Sequence, residues 1–168
     1  MEIRTARLTL GPIKADHLSS LADLLTDPEV KKTYMVPDFE NREKALELAK
    51  RLSALSEDFD RYVFGVCLKG NLVGILNATE VQEERIELGY ALLPAFYGQG
   101  YATEALRAMI DVLFSFGFRE VIAGAFENNV ASIRVMEKSG MQKLPRTGTV
   151  TYRGKEHRCV YYGITDTE

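Results

Sequence analysis

Glu87-Leu-Gly-Tyr-Ala-Leu-Leu-Pro-Ala-Phe-Tyr-Gly-Gln-Gly-Tyr-Ala-Thr-Glu-Ala-Leu106 is the stretch whose reading decides the fold. Ile86 to Leu93 reads as a strand, and Pro94 closes it. A short loop then carries Gly98 and Gly100. From Ala102 to Phe116 the pattern is strongly helical, until Gly117 stops it. Glycines at such a junction let successive backbone N–H groups turn into one concavity. The helix N-terminus adds partial positive charge, so the junction suits an anion such as a pyrophosphate. The lysine and spacing of a nucleotide P-loop are missing. So is the third glycine of the dinucleotide fingerprint, and ATP and NAD therefore fit poorly. Taken by itself, the glycine pair reads equally well as a tight turn.

Working outward, Ile3 to Leu10 reads as one strand, broken by Gly11-Pro12. Asp16 can cap a helix over His17 to Leu25, with Leu18, Leu21, Leu24 and Leu25 on one face. Glu29 to Phe39 is irregular. Asn41 caps a second helix whose apolar positions Ala45, Leu48, Ala49, Leu52 and Leu55 keep helical spacing, and Phe59 extends it. Tyr62 to Leu68 and Leu72 to Val81 form a hairpin on a Gly70-Asn71 turn. Beyond the decisive stretch, Val121 to Phe126 is a strand, and Asn129 opens a short helix that Gly140 ends. Met141 to Tyr152, broken near Pro145, and Arg158 to Thr165 complete the chain as strands around a turn at Gly154. The order βααβββαβαββ predicts one α+β domain over residues 1–168, with a mixed sheet and one parallel crossover.

The bulk properties narrow the function classes. A chain of 168 residues buries a sizeable core as one domain. No apolar run reaches the roughly eighteen residues of a membrane span, and the N-terminus has no apolar signal-peptide core. A cytoplasmic protein without a membrane partner is expected. The formal net charge of −3 argues against nucleic acid as a partner and leaves room for a basic substrate such as an amine. Cys67 and Cys159, both in apolar runs, read as reduced core thiols. His17 and His157 lie far apart without ligand spacing, so no metal is expected.

Two runs carry a family resemblance. The run from Glu87 to Leu106 resembles the acetyl-CoA pyrophosphate loop of the GCN5-related N-acetyltransferases (GNATs). Glu127-Asn-Asn-Val-Ala-Ser-Ile-Arg-Val-Met-Glu-Lys-Ser-Gly-Met141 is similar to the second signature of the RimJ/RimL-like, ribosomal-protein N-terminal acetyltransferase branch. Element order and length match over essentially the whole chain. There are two departures: Tyr97 stands at the loop's first position, and Met141 replaces the usual aromatic. The resemblance implies a mostly antiparallel mixed sheet, splayed at a central parallel strand pair and flanked by about four helices. It implies acetyl-CoA as cosubstrate and an amine as acceptor, a peptide N-terminus or a small molecule. A homodimer is among the expected states.

Carried over residue by residue, the resemblance has Ala91, Leu92 and Leu93 offering backbone to the pantetheine arm. Gly98, Gln99, Gly100, Tyr101, Ala102 and Thr103 would line the pyrophosphate. Asn129 would cap its helix, contact the cofactor, or do both. Ser132 would assist the departing thiolate, and Glu87 would take the proton of the attacking amine. Gly89 is a candidate for a strand bulge, and Tyr161 or Tyr162 for the acceptor pocket. Arg134 and Lys138 read as a solvated helix face or as contacts to the cofactor's 3′-phosphate. A non-catalytic acyl-CoA-binding or sensor domain would share the fold; Ser132 argues for the enzyme.

Overall fold

A computed structural model describes residues 1–167. Its strands are β1 (Ile3–Arg4), β2 (Leu8–Gly11), β3 (Val63–Leu68), β4 (Asn71–Val81), β5 (Arg85–Leu92), β6 (Glu120–Phe126), β7 (Gln142–Tyr152) and β8 (Lys155–Thr165). The helices are α1 (Leu18–Thr26), α2 (Arg42–Ser56), α3 (Tyr101–Ser115) and α4 (Val130–Lys138). Hydrogen bonding orders the sheet β1-β2-β3-β4-β5-β6-β8-β7. β5 and β6 run parallel, joined through α3, while the other neighbours are antiparallel.

Side-chain alternation along the strands builds a core on each face of the sheet. Leu10, Val66, Ile86, Leu88 and Val121 meet Leu106, Met109 and Leu113 of α3 and Met136 of α4. On the opposite face Val63, Ile75 and Ala91 meet Leu21, Leu24 and Leu25 of α1 and Ala49 of α2. Leu106, Met109 and Leu113 are wholly excluded from solvent. Burial of each contributes about 1.5–3 kcal/mol. This holds α3 firmly, and with it the loop that precedes the helix.

Several local expectations need correction. The first strand is two, because Thr5 folds back on Leu8 through paired hydrogen bonds that interrupt the ladder. Asp16 does not cap α1. A 3-10 turn over Ala15–His17 leads in instead, with Nδ1 of His17 accepting from Lys14 N–H at 3.1 Å and its Nε2 lying 3.0 Å from the Gly70 carbonyl oxygen. α2 ends at Ser56, and Phe59 sits in a separate 3-10 turn against Phe64 and Phe116. The β3–β4 turn centres on Lys69 and Gly70, both with positive φ, rather than on Gly70-Asn71. Gly89 pairs regularly with Asn77, and the irregularity in that ladder falls in β4 between Ala78 and Glu80. β8 begins at Lys155. Pro145 does not break β7; it lies in a register shift within it.

Candidate active site

The parallel ladder of β5 and β6 is short. It runs from Arg85/Glu120 to Leu88/Ala123 and stops. Beyond that point β5 stays paired with β4 as far as Leu92, and β6 with β8 as far as Phe126. The two strands therefore part in mid-sheet. The Leu93 amide donates to the Val73 carbonyl at 2.8 Å. Strand alternation then turns the peptide groups of Ala91 and Leu93 toward β4, and those of Tyr90 and Leu92 into the opening.

The chain leaves β5 through a 3-10 turn at Pro94–Phe96 and reaches α3 over Gly98 and Gly100, at φ +73° and +81°. These left-handed conformations are strained for most other residues. No side chain caps α3, whose N-cap is Gly100 itself. The N–H groups of its first turn thus lack intrahelical partners and face outward beside exposed Gly98 and Gln99. Tyr101 is buried, and Ala102 and Thr103 are half-buried behind them.

A brace from the far end of the sequence holds this loop. Arg7 donates from its backbone N–H and its Nε to the two oxygens of Glu104, at 2.8 and 2.7 Å. Its Nη1 donates to the Gln99 carbonyl at 2.9 Å, and its guanidinium stacks 4.3 Å from the centre of the Tyr101 ring. Thr5 adds a 2.6 Å hydrogen bond to Glu104. Partial burial pushes the Glu104 carboxyl up, but the bonds from Thr5 and Arg7 outweigh it and hold the group below its usual value.

Across the opening, Asn129 caps α4: its Oδ1 accepts from Ser132 N–H at 3.2 Å. The Ser132 hydroxyl lies 2.8 Å from the Tyr90 hydroxyl, which also lies 3.3 Å from the Ser132 carbonyl. Tyr90 thus reaches from β5 to α4 across the mouth. Burial pushes its phenol up to about 12, against a small opposing effect of the Ser132 hydrogen bond. Arg134 and Lys138 of α4 are exposed.

Glu87 occupies the other face of β5, since its neighbours Ile86 and Leu88 point into the α3 core. It is mostly buried and pairs through Oε2 with Nη1 of Arg146 at 3.3 Å. The Arg146 guanidinium lies 3.9 Å over the ring of Tyr161. That ring lies flat because Gly124 of β6 has no side chain; a Cβ there would come within 2.8 Å of it. Tyr162 faces the opposite way and packs in the core. An aromatic row continues on the Glu87 face, with Phe126 stacked on His157 at 4.2 Å and then Tyr152. Tyr152 donates to the Lys31 carbonyl at 2.6 Å and borders an open cavity of about 350 Å³ lined by Met35, Val36, Pro37, Asp38 and Arg153. Lys31 is ion-paired with Asp38.

Both thiols are buried. Burial raises Cys67 to about 11, and it raises Cys159 with help from the Glu87 charge. Among the described residues no group of three or more His, Cys, Asp or Glu side chains could hold a metal ion. No helix among them is long and apolar enough to cross a membrane.

The family described as acetyltransferase (GNAT) domain matches residues 7–142, most of the chain. The chain belongs to that family. An uncharacterized N-acetyltransferase, p20, of Bacillus licheniformis is 27% identical over 144 residues, covering 83% of this chain and 81% of p20. A GNAT-family acetyltransferase from Bacillus anthracis superposes with a TM-score of 0.84 at 23% identity, each chain covered in full. RimL, a ribosomal L7/L12 α-N-protein acetyltransferase solved in complex with coenzyme A, superposes with a TM-score of 0.81 at 17% identity, with 98% of each chain covered. This GNAT is an N-acetyltransferase that takes its acetyl group from acetyl-CoA and passes it to an amine. The parted strands, the left-handed glycines and the uncapped α3 terminus suit a cosubstrate with a long amide-bearing arm and a pyrophosphate.

Tyr90, Arg7 and Arg146 have no counterpart in the sequence expectations. Each acts through a partner at least 42 positions away in the chain.

Proposed function

We propose that this GNAT transfers acetyl directly, in a ternary complex, to a primary amine, either the N-terminus of a protein or a small-molecule amine. One observation carries the reading: Glu87 and the Tyr90–Ser132 pair flank the end of the β5–β6 ladder from opposite faces of the sheet. A proton acceptor on one side and a hydroxyl donor on the other is what aminolysis of a thioester requires. Bound acetyl-CoA supplies the activated acetyl group. Gly98, Gln99, Gly100, Tyr101, Ala102 and Thr103 hold its phosphates, and the strand backbone from Ala91 to Leu93 flanks its arm. Asn129 fixes the start of α4 and so the place of Ser132. Tyr90 holds Ser132 Oγ at 2.8 Å, and with the phenol as donor the Ser132 proton is free to meet the departing sulfur. Glu87 takes the proton from the acceptor nitrogen. Both thiols are held protonated by burial, which disfavours an acyl-cysteine intermediate. The reading places the enzyme in the cytoplasm, acting without a metal.

Free-thiol release from acetyl-CoA tests the proposal, with chelator present and a panel of free-N-terminus peptides, N-blocked lysine peptides, polyamines and aminoglycosides. A free α-amine titrates near 7.7–8.0 against about 10.4 for lysine. It offers more neutral nucleophile, so the free-N-terminus peptide is expected to show higher kcat/KM than its N-blocked lysine twin. The reverse preference would overturn the acceptor assignment.

Arg7→Ala is expected to weaken CoA affinity about tenfold, because three contacts from one side chain steady the loop and charged hydrogen bonds contribute about 1.5–3 kcal/mol each when well made. Partial exposure argues for the low end of that range. Calorimetry reads the affinity directly. The brace also has a pH signature. Glu104 is held below its usual value when folded, so its contribution is complete above its unfolded value and fades as pH falls through the lowered folded one. CoA affinity should therefore persist to mildly acidic pH in the wild type, and acid should cost Arg7→Ala less additional affinity.

A further inference from the structure

We propose that the Arg146 guanidinium occupies the seat of the acceptor's cationic nitrogen, and that the acceptor is an aliphatic ammonium that displaces it. The inference rests on the reading of Glu87 as the residue facing the acceptor, and it names the chemical class that face selects.

The seat has the two elements a cation needs, a carboxylate and an aromatic face. Arg146 meets both, at 3.3 Å from Glu87 Oε2 and 3.9 Å from the Tyr161 ring centre. The ring is laid open for such a contact by Gly124 beneath it, and Gly148 of β7 leaves space beside its hydroxyl. The seat also lies one residue before the end of the β5–β6 ladder, where the strands begin to part.

The present occupant is loosely held. Register passes from Lys143↔Tyr162 to Thr147↔Val160, so four steps along β7 span two along β8. Residues 144–146 are therefore looped off the ladder. The Arg146 side chain is 42% exposed while that of Glu87 is 16% exposed, so the arginine can withdraw to solvent and the carboxylate cannot. The pair rests on a single 3.3 Å contact rather than on the bidentate fork that makes arginine pairs strong.

An incoming ammonium then makes the contacts the guanidinium gives up, and its proton lies against the group that accepts it. Glu87 would repel an acceptor with a carboxylate next to its amine. The class selected is thus a simple aliphatic amine, a polyamine or a peptide N-terminus, ahead of free α-amino acids.

The test uses n-butylamine and non-acetylatable n-butylguanidine, titrated by calorimetry into the CoA-loaded full-length protein. Arg146→Met removes the internal competitor and is expected to tighten both probes about five- to tenfold, the size of an exposed ion pair plus a cation–π contact. Arg146→Lys should fall between the two, and Glu87→Gln should weaken both probes. Unchanged or weaker butylamine binding in Arg146→Met, with CoA affinity and unfolding temperature at wild-type values, would overturn the seat and leave the cofactor site standing. Failure of the wild type to bind CoA would instead remove the reading beneath it.

Discussion

Gly100→Pro is expected to abolish CoA binding, leaving no measurable heat at about 1 mM ligand. Gly100 sits at φ +81°, and proline locks φ near about −65°. The peptide cannot adopt both, so the entry to α3 must rotate. The substitution also deletes a backbone N–H from the turn proposed to hold the phosphates. Bulk is the smaller obstacle, because a Cβ at this position would meet only Nη2 of Arg7, at 3.3 Å, the tip of a flexible side chain that can give by a few tenths of an ångström. The rest of α3 is anchored by Leu106, Met109 and Leu113, so circular dichroism and the unfolding temperature should change little. Gly100→Asn separates backbone from bulk, since asparagine tolerates left-handed φ and should retain most of the affinity. Gly98→Ala is the graded case. At φ +73° the added strain is about 1–2 kcal/mol, which corresponds to roughly a five- to thirtyfold loss. Normal CoA binding by Gly100→Pro would remove the loop from the site.

The features legible in the sequence are those enforced by local chemistry. The left-handed glycines of the loop, the helical period of α3 and the Asn41 and Asn129 caps act within a few residues of themselves. Each needs only a short window to be read. The family resemblance rests on the same windows, and the family match to residues 7–142 bears it out. Where the local reading failed, a distant partner had intervened. Ile3 to Leu10 alternates like one strand, yet Thr5 and Arg7 turn aside to hold Glu104, 99 and 97 positions away. Asp16 has the chemistry of a cap, but His17 is drawn to Gly70 and a 3-10 turn forms first. Gly89 is free to bulge, but β4 absorbs the irregularity instead.

Similar reasoning separates the two halves of the candidate site. The proposed cofactor side rests on two short runs, Ala91 to Thr103 and Asn129 to Ser132, so each reads as a motif. The proposed acceptor side draws instead on β5, β6, β7 and β8 and the segment before α2. Glu87 could be singled out by its place on β5, but nothing local marks Arg146 as its partner, 59 positions on. Tyr90 is hidden for another reason. An aromatic residue on a strand reads as core, and Tyr90 does pack against the α3 core. Only its hydroxyl leaves the core, and hydroxyl direction is a tertiary property.

The second large effect concerns that hydroxyl and its partner. Ser132→Ala is expected to lower kcat by about 10²-fold while leaving CoA affinity within about twofold, the pattern for a group that acts mainly in the transition state. Tyr90→Phe keeps the ring in its packing and removes only the hydroxyl, and it is expected to lower kcat about tenfold with the acetyl-CoA KM unchanged. The smaller figure follows from the proposed role, in which Tyr90 acts through Ser132 by holding its oxygen at 2.8 Å. The pKa values also define the role. A thiol titrates near about 8.5, whereas the Tyr90 phenol is pushed up to about 12. The pair is therefore expected to stabilise the departing thiolate by hydrogen bonding rather than by surrendering a proton outright, and Tyr90 to stay protonated across the working range. Its removal should lower the pH–rate profile uniformly, without a new limb below pH about 10. The double variant decides whether the two hydroxyls form one device. If they do, Ser132→Ala with Tyr90→Phe should be no slower than Ser132→Ala alone, because the tyrosine has nothing left to orient. Multiplied losses in single-turnover measurements, near 10³-fold, would mean that Tyr90 reaches the reacting atoms by itself. A kcat for Ser132→Ala equal to wild type, with chemistry rate-limiting, would remove the serine from the mechanism.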